Sequence, residues 1–429
     1  MSPAREAALR AMALVRKGKF MSEAVDEAVR ALGLDRRDAA LCSRIVHETL
    51  SNRGYIDSVL GQWSKLPMNR VEHTVRDILM ISAAQILFLD RVPPSAAVNE
   101  AVELCRRHGC ERATGYVNGV LRRVAENRSK PLALPDDCSG AEYLGRRYSC
   151  AGWIAEEFVR RRGYEGAEAL CRANNAEPPL TIQTNTLRTS PKALWEALRS
   201  AGIEASPGLL PGSFDLAASG LISSIPGYGE GHFYVQDSAA RMAVEAAAPE
   251  RGMDVLDACS APGGKSFAAA IRMGGEGRIL ACDLKEKRLK RVTEGAKRLG
   301  LDGMIECRAM DARTPGEELH GRFDVVIADA PCSGLGVIRR KPEIRYKTEA
   351  EVASLPGIQL AILEGLAACV KPGGTLLYST CTLLERENED VVRAFLAENE
   401  GFTAAEERTL WPDIDKTDGF FICRMIKST

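Results

Sequence analysis

Two cysteines stand where this chain could do chemistry on a bound ligand. Cys332 lies in DAPCSG, directly after the apolar run FDVVIA, and Cys381 lies in YSTCTL, after another apolar run. A thiol at the end of a strand can act as a nucleophile, bind a metal, assist the chemistry of another group or simply pack in the core. Which of the two cysteines attacks a substrate, if either does, decides the kind of reaction.

The elements that must position these cysteines are short apolar runs that alternate with helical stretches. This alternation predicts a C-terminal α/β Rossmann-like domain with a doubly wound, mostly parallel sheet. Each run ends near an aspartate or a cysteine, and ligands of such sheets bind beyond the carboxyl ends of the strands. The polar side chains should therefore gather at one edge of the sheet. The runs are MDVLDA, GRILACD, MIECRAMD, FDVVIADA and GGTLLYST.

The stretch DACSAPGGKS is a strand end followed by a Gly-rich turn that opens a helix. Its tail imitates a phosphate loop, but Cys259 occupies the position of the loop's first glycine, so nucleotide hydrolysis is set aside. Gly263 and Gly264 let a ligand approach the backbone closely. Asp283 closes the next strand, where ribose hydroxyls would be held, and Asp311 closes the third, near an adenine ring. The pattern predicts a nucleoside-type cofactor.

Periodicity divides the rest of the chain. Residues 1–130 place apolar residues at three- and four-residue spacing and predict an all-α domain, followed by the linker SKPLALPDD. Residues 141–240 mix helices and short strands and predict a small α+β module, ahead of the α/β domain at 241–429. Residues 1–130 hold 21 lysines and arginines against 15 acidic residues, whereas the whole chain has a net charge of −1. A basic module of this kind suits a polyanion.

Composition sets the broad class. Hydrophobic residues make up 45% and charged residues 27%, an ordinary globular balance. No apolar run is predicted to reach the roughly 18 residues that cross a bilayer, and the charged N-terminus resembles an amphipathic helix more than a signal peptide. Thirteen cysteines without a CxxC pair predict reduced thiols in the cytoplasm and no zinc ribbon. None of the five histidines is interpreted as a metal ligand.

Taken together, DACSAPGGKS, ACD, DAPCSGLGVIRRKPEIRY, GGTLLYSTCTL and DGFF resemble the RNA 5-methylcytosine methyltransferases that use S-adenosylmethionine. PSAAVNEAVELCRRHG and GYVNGVLRRV resemble the NusB-like helical domain found in the bacterial members that act on small-subunit (16S) ribosomal RNA. The resemblance covers nearly the whole chain and is weakest over about 130 to 175. It implies S-adenosylmethionine as cofactor, ribosomal RNA as partner, and methylation of carbon 5 of a specific cytosine. It also implies that residues 1–130 and the ferredoxin-like module with linker helices at 141–240 bind RNA and that 241–429 is the catalytic domain.

The resemblance also assigns roles to the polar residues. Cys381 corresponds to the nucleophile that adds to carbon 6 of the cytosine, and Cys332 to the thiol that assists product release. Asp329 matches the acidic residue that contacts the target base, with Lys265 beside it. DNA cytosine methyltransferases use the cysteine of the PC pair for attack, so sequence logic alone leaves the order of the two thiols open. The predicted cofactor-binding residues are Cys259, Ser260, Ala261, Pro262, Gly263, Gly264, Lys265, Asp283, Asp311 and Asp329.

The basic run IRRKPEIRYK follows Cys332 closely. Its position favours phosphate contacts, although a solvated charge run is the simpler interpretation. Tyr346, within the same run, is a candidate for stacking on a base. The predicted RNA-binding residues are Arg339, Arg340, Lys341 and Arg345.

Two rival functions stay open at this point. One is a non-catalytic RNA-binding or antitermination factor, which the helical domain suggests but which needs neither cysteine. The other is a 5-methylcytosine methyltransferase acting on transfer RNA or DNA, since the helical domain favours ribosomal RNA only by analogy. For this protein we expect a monomer with no metal and no membrane partner.

Overall fold

The computed structural model describes residues 2–130, 140–217 and 222–429. Residues 131–139, which include most of the predicted linker, lie outside the described residues. Contacts divide the chain into two compact units. The first is Met1–Glu177 with Ile338–Thr348, and the second is Pro178–Val337 with Glu349–Thr429. The segment 338–348 thus packs in the first unit, although it lies in sequence between two parts of the second.

The first unit is helical throughout its described residues. Its core is built from small and branched side chains, such as Ala8, Ile45, Ile78 and Leu121, which let the helices approach closely. The helices are α1 (Pro3–Arg16), α2 (Met21–Leu32), α3 (Arg36–Ser51), α4 (Arg53–Trp63), α5 (His73–Phe88), α6 (Pro94–Arg107), α7 (Thr114–Glu126), α8 (Gly140–Tyr148) and α9 (Gly152–Asn175), with 3₁₀ turns at Met68–Arg70, Glu111–Ala113 and Pro342–Tyr346.

Local sequence explains where several of these helices begin and bend. Asp35 caps α3, because its side chain accepts a hydrogen bond from the Asp38 amide at 2.8 Å. Proline stands in the first turn of α1 and α6, where its missing N–H costs nothing. Helix α9 is kinked at Gly163, whose φ of 68° interrupts the helical backbone.

The second unit opens with a small antiparallel sheet. Its strand order is β2-β3-β1-β4, and α10 (Pro191–Ser200) packs on it through Leu194 and Leu198. Ser190 caps α10 by accepting from the Ala193 amide at 3.1 Å. The strands are β1 (Leu180–Thr184), β2 (Ala205–Pro207), β3 (Ser213–Leu216) and β4 (Phe233–Val235).

A seven-stranded sheet of described residues forms the rest of the second unit. Its order is β10-β11-β9-β8-β5-β6-β7, and the run from β9 to β7 is parallel. The chain order reverses beside β5, which pairs with both β6 and β8 and so marks the switch point. The strands are β5 (Asp254–Asp257), β6 (Arg278–Asp283), β7 (Ile305–Ala309), β8 (Phe323–Asp329), β9 (Val370–Thr380), β10 (Phe402–Leu410) and β11 (Phe420–Lys427).

Helices cover both faces of this sheet. Alternate residues of β5 show this directly, because Val255 packs in one core and Leu256 in the other. Helices α11, α12 and α13 contribute to the first core, and α15 and α16 to the second. The helices are α11 (Ser238–Ala247), α12 (Gly264–Arg272), α13 (Glu286–Leu299), α14 (Glu349–Val352), α15 (Leu355–Ala367), α16 (Glu389–Glu398) and α17 (Pro412–Asp415).

These observations confirm the predicted fold class: a helical N-terminal part, a small α+β part and a Rossmann-like α/β part. All five apolar runs are strands. The antiparallel pair β10 and β11 was not predicted. DGFF was interpreted as a motif, and β10 is polar and mostly exposed, so it lacks the apolar run that marks the other strands. The predicted domain limits stay a prediction.

Within the described residues one stretch, Glu349–Ala367, is long enough at 19 residues and apolar enough, with a mean hydropathy of 1.2, to cross a membrane by length and composition. The sequence interpretation had not found such a run. The stretch comprises α14 and α15, and Ile362, Leu363 and Leu366 pack in the core beside the sheet. Core helices of globular domains share this composition, so the stretch is weak support for a membrane span.

Candidate active site

The carboxyl ends of the parallel strands bring the predicted catalytic residues together. Asp329 is the last residue of β8 and pairs in register with Ser379, near the end of β9. Cys381 follows β9 directly, and Cys332 lies three residues beyond β8. Because the two strands are parallel neighbours, both cysteines reach the same edge of the sheet, and their sulfur atoms lie 3.3 Å apart.

The two thiols are not disulfide-bonded, are partly buried and contact each other. The hydrogen bond with Cys381, together with burial, raises the pKa of Cys332 well above its usual range. Glu387 and Asp329 add to this shift, because nearby negative charge disfavours a thiolate. Cys332 is therefore a neutral thiol at physiological pH, and it can donate a proton to a neighbouring sulfur.

An ion pair fixes the acidic residue beside the thiols. Lys265 Nζ lies 2.7 Å from Asp329 Oδ2, and the Ser379 hydroxyl donates to Asp329 Oδ1 at 2.9 Å. Burial opposes the charged form of Lys265, but attraction to Asp329 outweighs it and the pKa of Lys265 is raised. The ring of Phe420 lies 5.1 Å from the same ammonium group. Both oxygens of Asp329 are thus held in place at this edge.

The turn between β5 and α12 has the features of a ligand cradle. Gly263 has a φ of +112°, and a Cβ there would lie 2.5 Å from the Phe267 ring, so only glycine fits. A Cβ on Gly264 would lie 3.1 Å from Gln236 Nε2. Two buried oxygens nearby, Ser260 Oγ and Asp257 Oδ1, have no hydrogen-bond partner within the described part of the chain. Bare backbone and unpaired buried oxygens fit a polar ligand at the start of α12.

The other residues predicted for this turn, Cys259, Ala261 and Pro262, contribute through backbone and shape. Burial raises the pKa of the Cys259 thiol, which keeps it neutral and unreactive. The Ala261–Pro262 peptide bond is cis. The Ala261 carbonyl accepts a hydrogen bond from Arg288 at 3.1 Å, which ties the turn to helix α13.

Two aspartates predicted to face a nucleoside have different surroundings. Asp283 ends β6, its side chain is 2% exposed, and it pairs with Arg288 at 3.1 Å. Asp311 lies two residues past β7 and pairs with Arg313 at 2.6 Å, a contact that lowers the pKa of Asp311. Asp283 is therefore a rigid acceptor at the ligand edge, whereas Asp311 is a more exposed carboxylate already engaged by its neighbour.

Asp257, beneath this turn, should give the second unit a measurable pH dependence. Burial raises the pKa of Asp257 to about 6, although the Ser266 hydroxyl donates to Oδ2 at 2.6 Å. Between pH 4 and 6, roughly, the folded protein keeps a proton that the unfolded chain has lost, so stability falls as pH rises through that window. Above the folded-state pKa of Asp257, the free energy of unfolding has fallen by the full amount, on the order of 3 kcal/mol.

We expect Asp257→Asn to remove this fall, so that the variant is more stable than the unmodified protein at pH 8. Urea unfolding of both proteins at pH 4.5 and 8 measures the difference. The exposed Asp302, replaced by asparagine, is the matched control and should leave the pH profile unchanged. Parallel profiles for Asp257→Asn and the unmodified protein would contradict the assignment.

The basic segment after Cys332 requires a correction. Arg345 is 1% exposed, so its predicted phosphate contact is wrong. Its guanidinium donates to the carbonyls of Ser51, Tyr148 (3.1 Å) and Asn174 (3.2 Å) and to Asn175 Oδ1 (2.6 Å), all within the first unit. A guanidinium that satisfies buried carbonyls in this way holds the helical unit together.

The neighbours of Arg345 divide into buried and accessible groups. Arg339 is 7% exposed, and its carbonyl contacts His47 Nε2 at 3.1 Å, so its predicted phosphate contact lacks an accessible side chain. The Tyr346 hydroxyl donates to the Leu50 carbonyl, and its ring lies under Arg53, which occupies the face proposed for base stacking. Arg340 is half-buried and Lys341 is exposed. These two remain the candidates for phosphate contact.

Replacing Arg345 with methionine should therefore destabilise the first unit without changing how RNA affinity depends on salt. The buried carbonyls would lose their donors, at a cost of about 3 kcal/mol. Lys341→Met is the matched control: it should leave stability unchanged and reduce the salt slope of RNA binding by about one. Denaturant unfolding and RNA titration at several salt concentrations measure both. A stable Arg345→Met protein with a reduced slope would restore the phosphate contact.

Sequence reasoning missed several residues that the structure places at this edge. Ser379 and Arg288 hold Asp329 and Asp283, and Glu387 accepts from the amide of Ser333 at 2.8 Å. Only Ser379 carried a local signal, since it shares the strand end that leads to Cys381. Among the described residues, no group of three or more histidine, cysteine, aspartate or glutamate side chains could hold a metal ion.

Comparison with known proteins identifies the family. The profile of the 16S rRNA methyltransferase RsmB/F family matches residues 244–426, and the NusB family profile matches residues 2–126. The ferredoxin-like domain of RsmF/B-like methyltransferases matches residues 151–218. The probable ribosomal RNA small subunit methyltransferase B of Bacillus subtilis (strain 168) is 33% identical over 99% of this chain and 98% of its own length. This chain belongs to the RsmB/F methyltransferase family.

Further relatives agree with membership of the RsmB/F family. The ribosomal RNA small subunit methyltransferase B of Klebsiella pneumoniae is 31% identical over 96% of this chain and 95% of its own. The solved structure of PH0851 has a TM-score of 0.85 at 25% identity, covering 100% of this chain and 99% of that one. A methyltransferase homolog from Pyrococcus horikoshii has a TM-score of 0.59 at 27% identity, covering 69% and 100%.

The family and the fold together make this chain an S-adenosylmethionine-dependent methyltransferase. The family resemblance and the cofactor predicted from the sequence are both confirmed. The β5–α12 turn, with its bare backbone and the unpaired Ser260 and Asp257 oxygens, and Asp283 stay the predicted cofactor-binding residues.

Proposed function

We propose that this protein methylates carbon 5 of a cytosine in small-subunit ribosomal RNA through a covalent protein–RNA intermediate. The observation that carries the proposal is the pair of reduced thiols, Cys332 and Cys381, 3.3 Å apart at the ligand edge beside the Lys265–Asp329 ion pair. The names of the bacterial relatives support ribosomal RNA as the substrate.

The chemistry of cytosine requires a nucleophile at this place. Carbon 5 is a poor nucleophile, so a thiolate must first add to carbon 6, which makes the ring an enamine that is nucleophilic at carbon 5. We assign this attack to Cys381. S-adenosylmethionine supplies the methyl group. A base then takes the proton from carbon 5, and the bond between sulfur and carbon 6 breaks, returning its electron pair to the Cys381 sulfur.

Cys332 fits the release step. The contact with Cys381 and burial keep Cys332 protonated, so it is a poor nucleophile in the resting site. The same proton lies on a sulfur 3.3 Å from the Cys381 sulfur, close enough to reach the thiolate as it leaves carbon 6. This division of labour agrees with the roles that the family resemblance implied.

Asp329 and Lys265 orient the base. Lys265 and Ser379 fix the two oxygens of Asp329, and each oxygen keeps a lone pair that can accept from the amino group of a cytosine. Because a stacked base hides carbon 6, the target must be single-stranded or turned out of its helix. Arg340 and Lys341 are proposed to contact the RNA backbone.

Incubation with labelled cofactor and unmodified small-subunit RNA tests the proposal. The RNA is digested to nucleosides and analysed by mass spectrometry, with transfer RNA and single-stranded DNA as parallel substrates. We expect label in 5-methylcytidine from the ribosomal RNA. Label in transfer RNA or DNA would change the substrate, label in another nucleoside would overturn the reaction, and binding without methylation would restore the binding-factor alternative.

We further propose that the protein works as a monomer in the cytoplasm. The cysteines of the described residues are not disulfide-bonded, which suits a reducing compartment. Sedimentation at several protein concentrations tests the monomer, and a mass that rises with concentration would contradict it.

A further inference from the structure

Behind the two thiols lies a buried carboxylate that the reaction described above does not use. Glu387 is fully buried and makes no ion pair among the described residues. Its Oε2 accepts from the Ser333 amide at 2.8 Å and from Gln359 Nε2 at 2.9 Å, whereas Oε1 has no partner in the described chain. Burying a carboxyl group with an unpaired oxygen is costly, so its presence calls for a reason other than stability.

The contacts of Glu387 and Gln359 enclose Cys332. Glu387 accepts from the amide of the residue after Cys332, and Gln359 donates to the carbonyl of the residue before it, Pro331, at 2.9 Å. Gln359 is itself fully buried in α15 and joins the two contacts by donating to Glu387. The backbone on both sides of Cys332 is thus held by one hydrogen-bonded pair.

The next residue, Asn388, encloses Cys381 in the same manner. Its Oδ1 accepts from the Thr380 hydroxyl at 2.6 Å, and its Nδ2 donates to the Thr382 carbonyl at 3.1 Å. Asn388 stands at the N-cap of α16, where an asparagine side chain usually caps the helix, yet it makes no cap hydrogen bond. Its side chain instead hydrogen-bonds to the two residues that flank Cys381.

The two loops are also joined directly. The Ser333 and Thr382 hydroxyls lie 2.6 Å apart, which links the residue after Cys332 to the residue after Cys381. The Tyr378 hydroxyl donates to the Glu387 carbonyl at 2.6 Å and anchors this network to β9. Side chains of Glu387, Gln359 and Asn388 therefore hydrogen-bond to the residues on either side of both cysteines.

We infer that Glu387 and Asn388 are positioning residues with separate targets: Glu387, with Gln359, sets the position of Cys332, and Asn388 sets the position of Cys381. The inference rests on the proposed function for its catalytic consequence. If Cys332 releases the product and Cys381 attacks, loss of Glu387 slows release and loss of Asn388 slows attack. Misplacement of a reacting group by about 1 Å reduces a rate by about 100-fold.

A measurement without RNA tests the positional part. Each protein is treated with iodoacetamide, and alkylation of Cys332 and Cys381 is followed peptide by peptide. We expect Glu387→Ala to change the alkylation rate of Cys332 more than that of Cys381, and Asn388→Ala to do the reverse. Equal changes at both cysteines, or no change at either, would overturn the inference.

A second measurement tests the catalytic part with the full-length protein and RNA. Glu387→Ala should accumulate a protein–RNA adduct on a denaturing gel, with turnover reduced about 100-fold. Asn388→Ala should form the adduct about 100-fold more slowly. Adduct formation and release at unmodified rates in both variants would contradict the inference. Failure of the unmodified protein to make 5-methylcytidine would instead contradict the proposed function, with the alkylation result still deciding the positions.

Matched variants separate positioning from charge and from folding. Glu387→Gln keeps an oxygen acceptor for the Ser333 amide and removes the charge, so it should restore release; behaviour like Glu387→Ala would show that the charge itself acts. Gln359→Leu removes the hydrogen bond to the Pro331 carbonyl and should also accumulate the adduct. This variant tests the positioning of Cys332 if Glu387→Ala does not fold. Asp390→Ala, an exposed change in α16, should behave as the unmodified protein.

Discussion

Replacing Cys381 with alanine should abolish methyl transfer, with a loss on the order of 10⁴-fold or more, the scale expected when an enzyme loses its attacking nucleophile. Without a thiolate at carbon 6, carbon 5 of the cytosine stays unreactive. The measurement is methyl incorporation into unmodified small-subunit RNA under single-turnover conditions, with enzyme in excess. The variant should form no protein–RNA adduct, since no other described thiol is placed for the attack while Cys332 holds its proton.

The control for this variant is a cysteine on the same sheet but away from the ligand edge. Cys307 lies within β7 and is partly buried, so Cys307→Ala imposes a similar loss of volume. It should methylate RNA at the unmodified rate. Both variants should bind the cofactor with unmodified affinity, measured by calorimetry. Substantial methylation by Cys381→Ala would remove this residue from the attacking role.

Replacing Cys332 with alanine should have the opposite effect on the intermediate. The bond from Cys381 to carbon 6 should form and the methyl group should transfer, but the product should leave slowly because the neighbouring thiol proton is missing. We expect near-normal incorporation in the first turnover, a fall in multiple turnover on the order of 10³-fold, and a stable protein–RNA band on a denaturing gel.

The double variant Cys332→Ala, Cys381→Ala is the control for this band. The band should disappear in the double variant, because the covalent bond belongs to Cys381. A Cys332→Ala protein that turns over normally and shows no band would contradict the release role. A band that persists in the double variant would show that a third residue bonds the RNA.

The gathering of the active residues could be predicted from the sequence because it depends on strand ends. FDVVIAD and GGTLLYST are apolar runs that stop at polar residues, and parallel neighbours in one sheet end at the same edge. Asp329, Cys332 and Cys381 are therefore brought together by topology alone. Their distances, such as the 3.3 Å between the sulfur atoms, depend on loops whose shape the runs do not specify.

The burial of Arg345 could not be predicted in this way. A run of basic residues usually faces solvent. Here the acceptors of the guanidinium are main-chain carbonyls of Ser51, Tyr148 and Asn174, which any sequence provides. Nothing local to IRRKPEIRYK shows that the chain leaves one unit and packs in the other.

Glu387 and Asn388 show a second limit. Within LLERENED, Glu387 and Asn388 directly precede α16, which begins at Glu389. An asparagine there would ordinarily be interpreted as a helix cap. The hydrogen-bond partners of Asn388, Thr380 and Thr382, lie in the preceding strand and loop and are brought to it by tertiary packing. Sequence patterns locate such residues but do not reveal which backbone groups they hold.

The most direct test of the covalent mechanism is to identify the cysteine that bonds to the RNA in the unmodified protein. Small-subunit RNA transcribed with 5-fluorocytidine is incubated with enzyme and cofactor. Fluorine at carbon 5 cannot leave as a cation in place of the proton, so the adduct persists. After digestion with protease and nuclease, mass spectrometry locates the modified peptide. Our account predicts a nucleotide on Cys381 and none on Cys332. A nucleotide on Cys332 would reverse the two roles, and methylated RNA without any adduct would contradict the covalent mechanism.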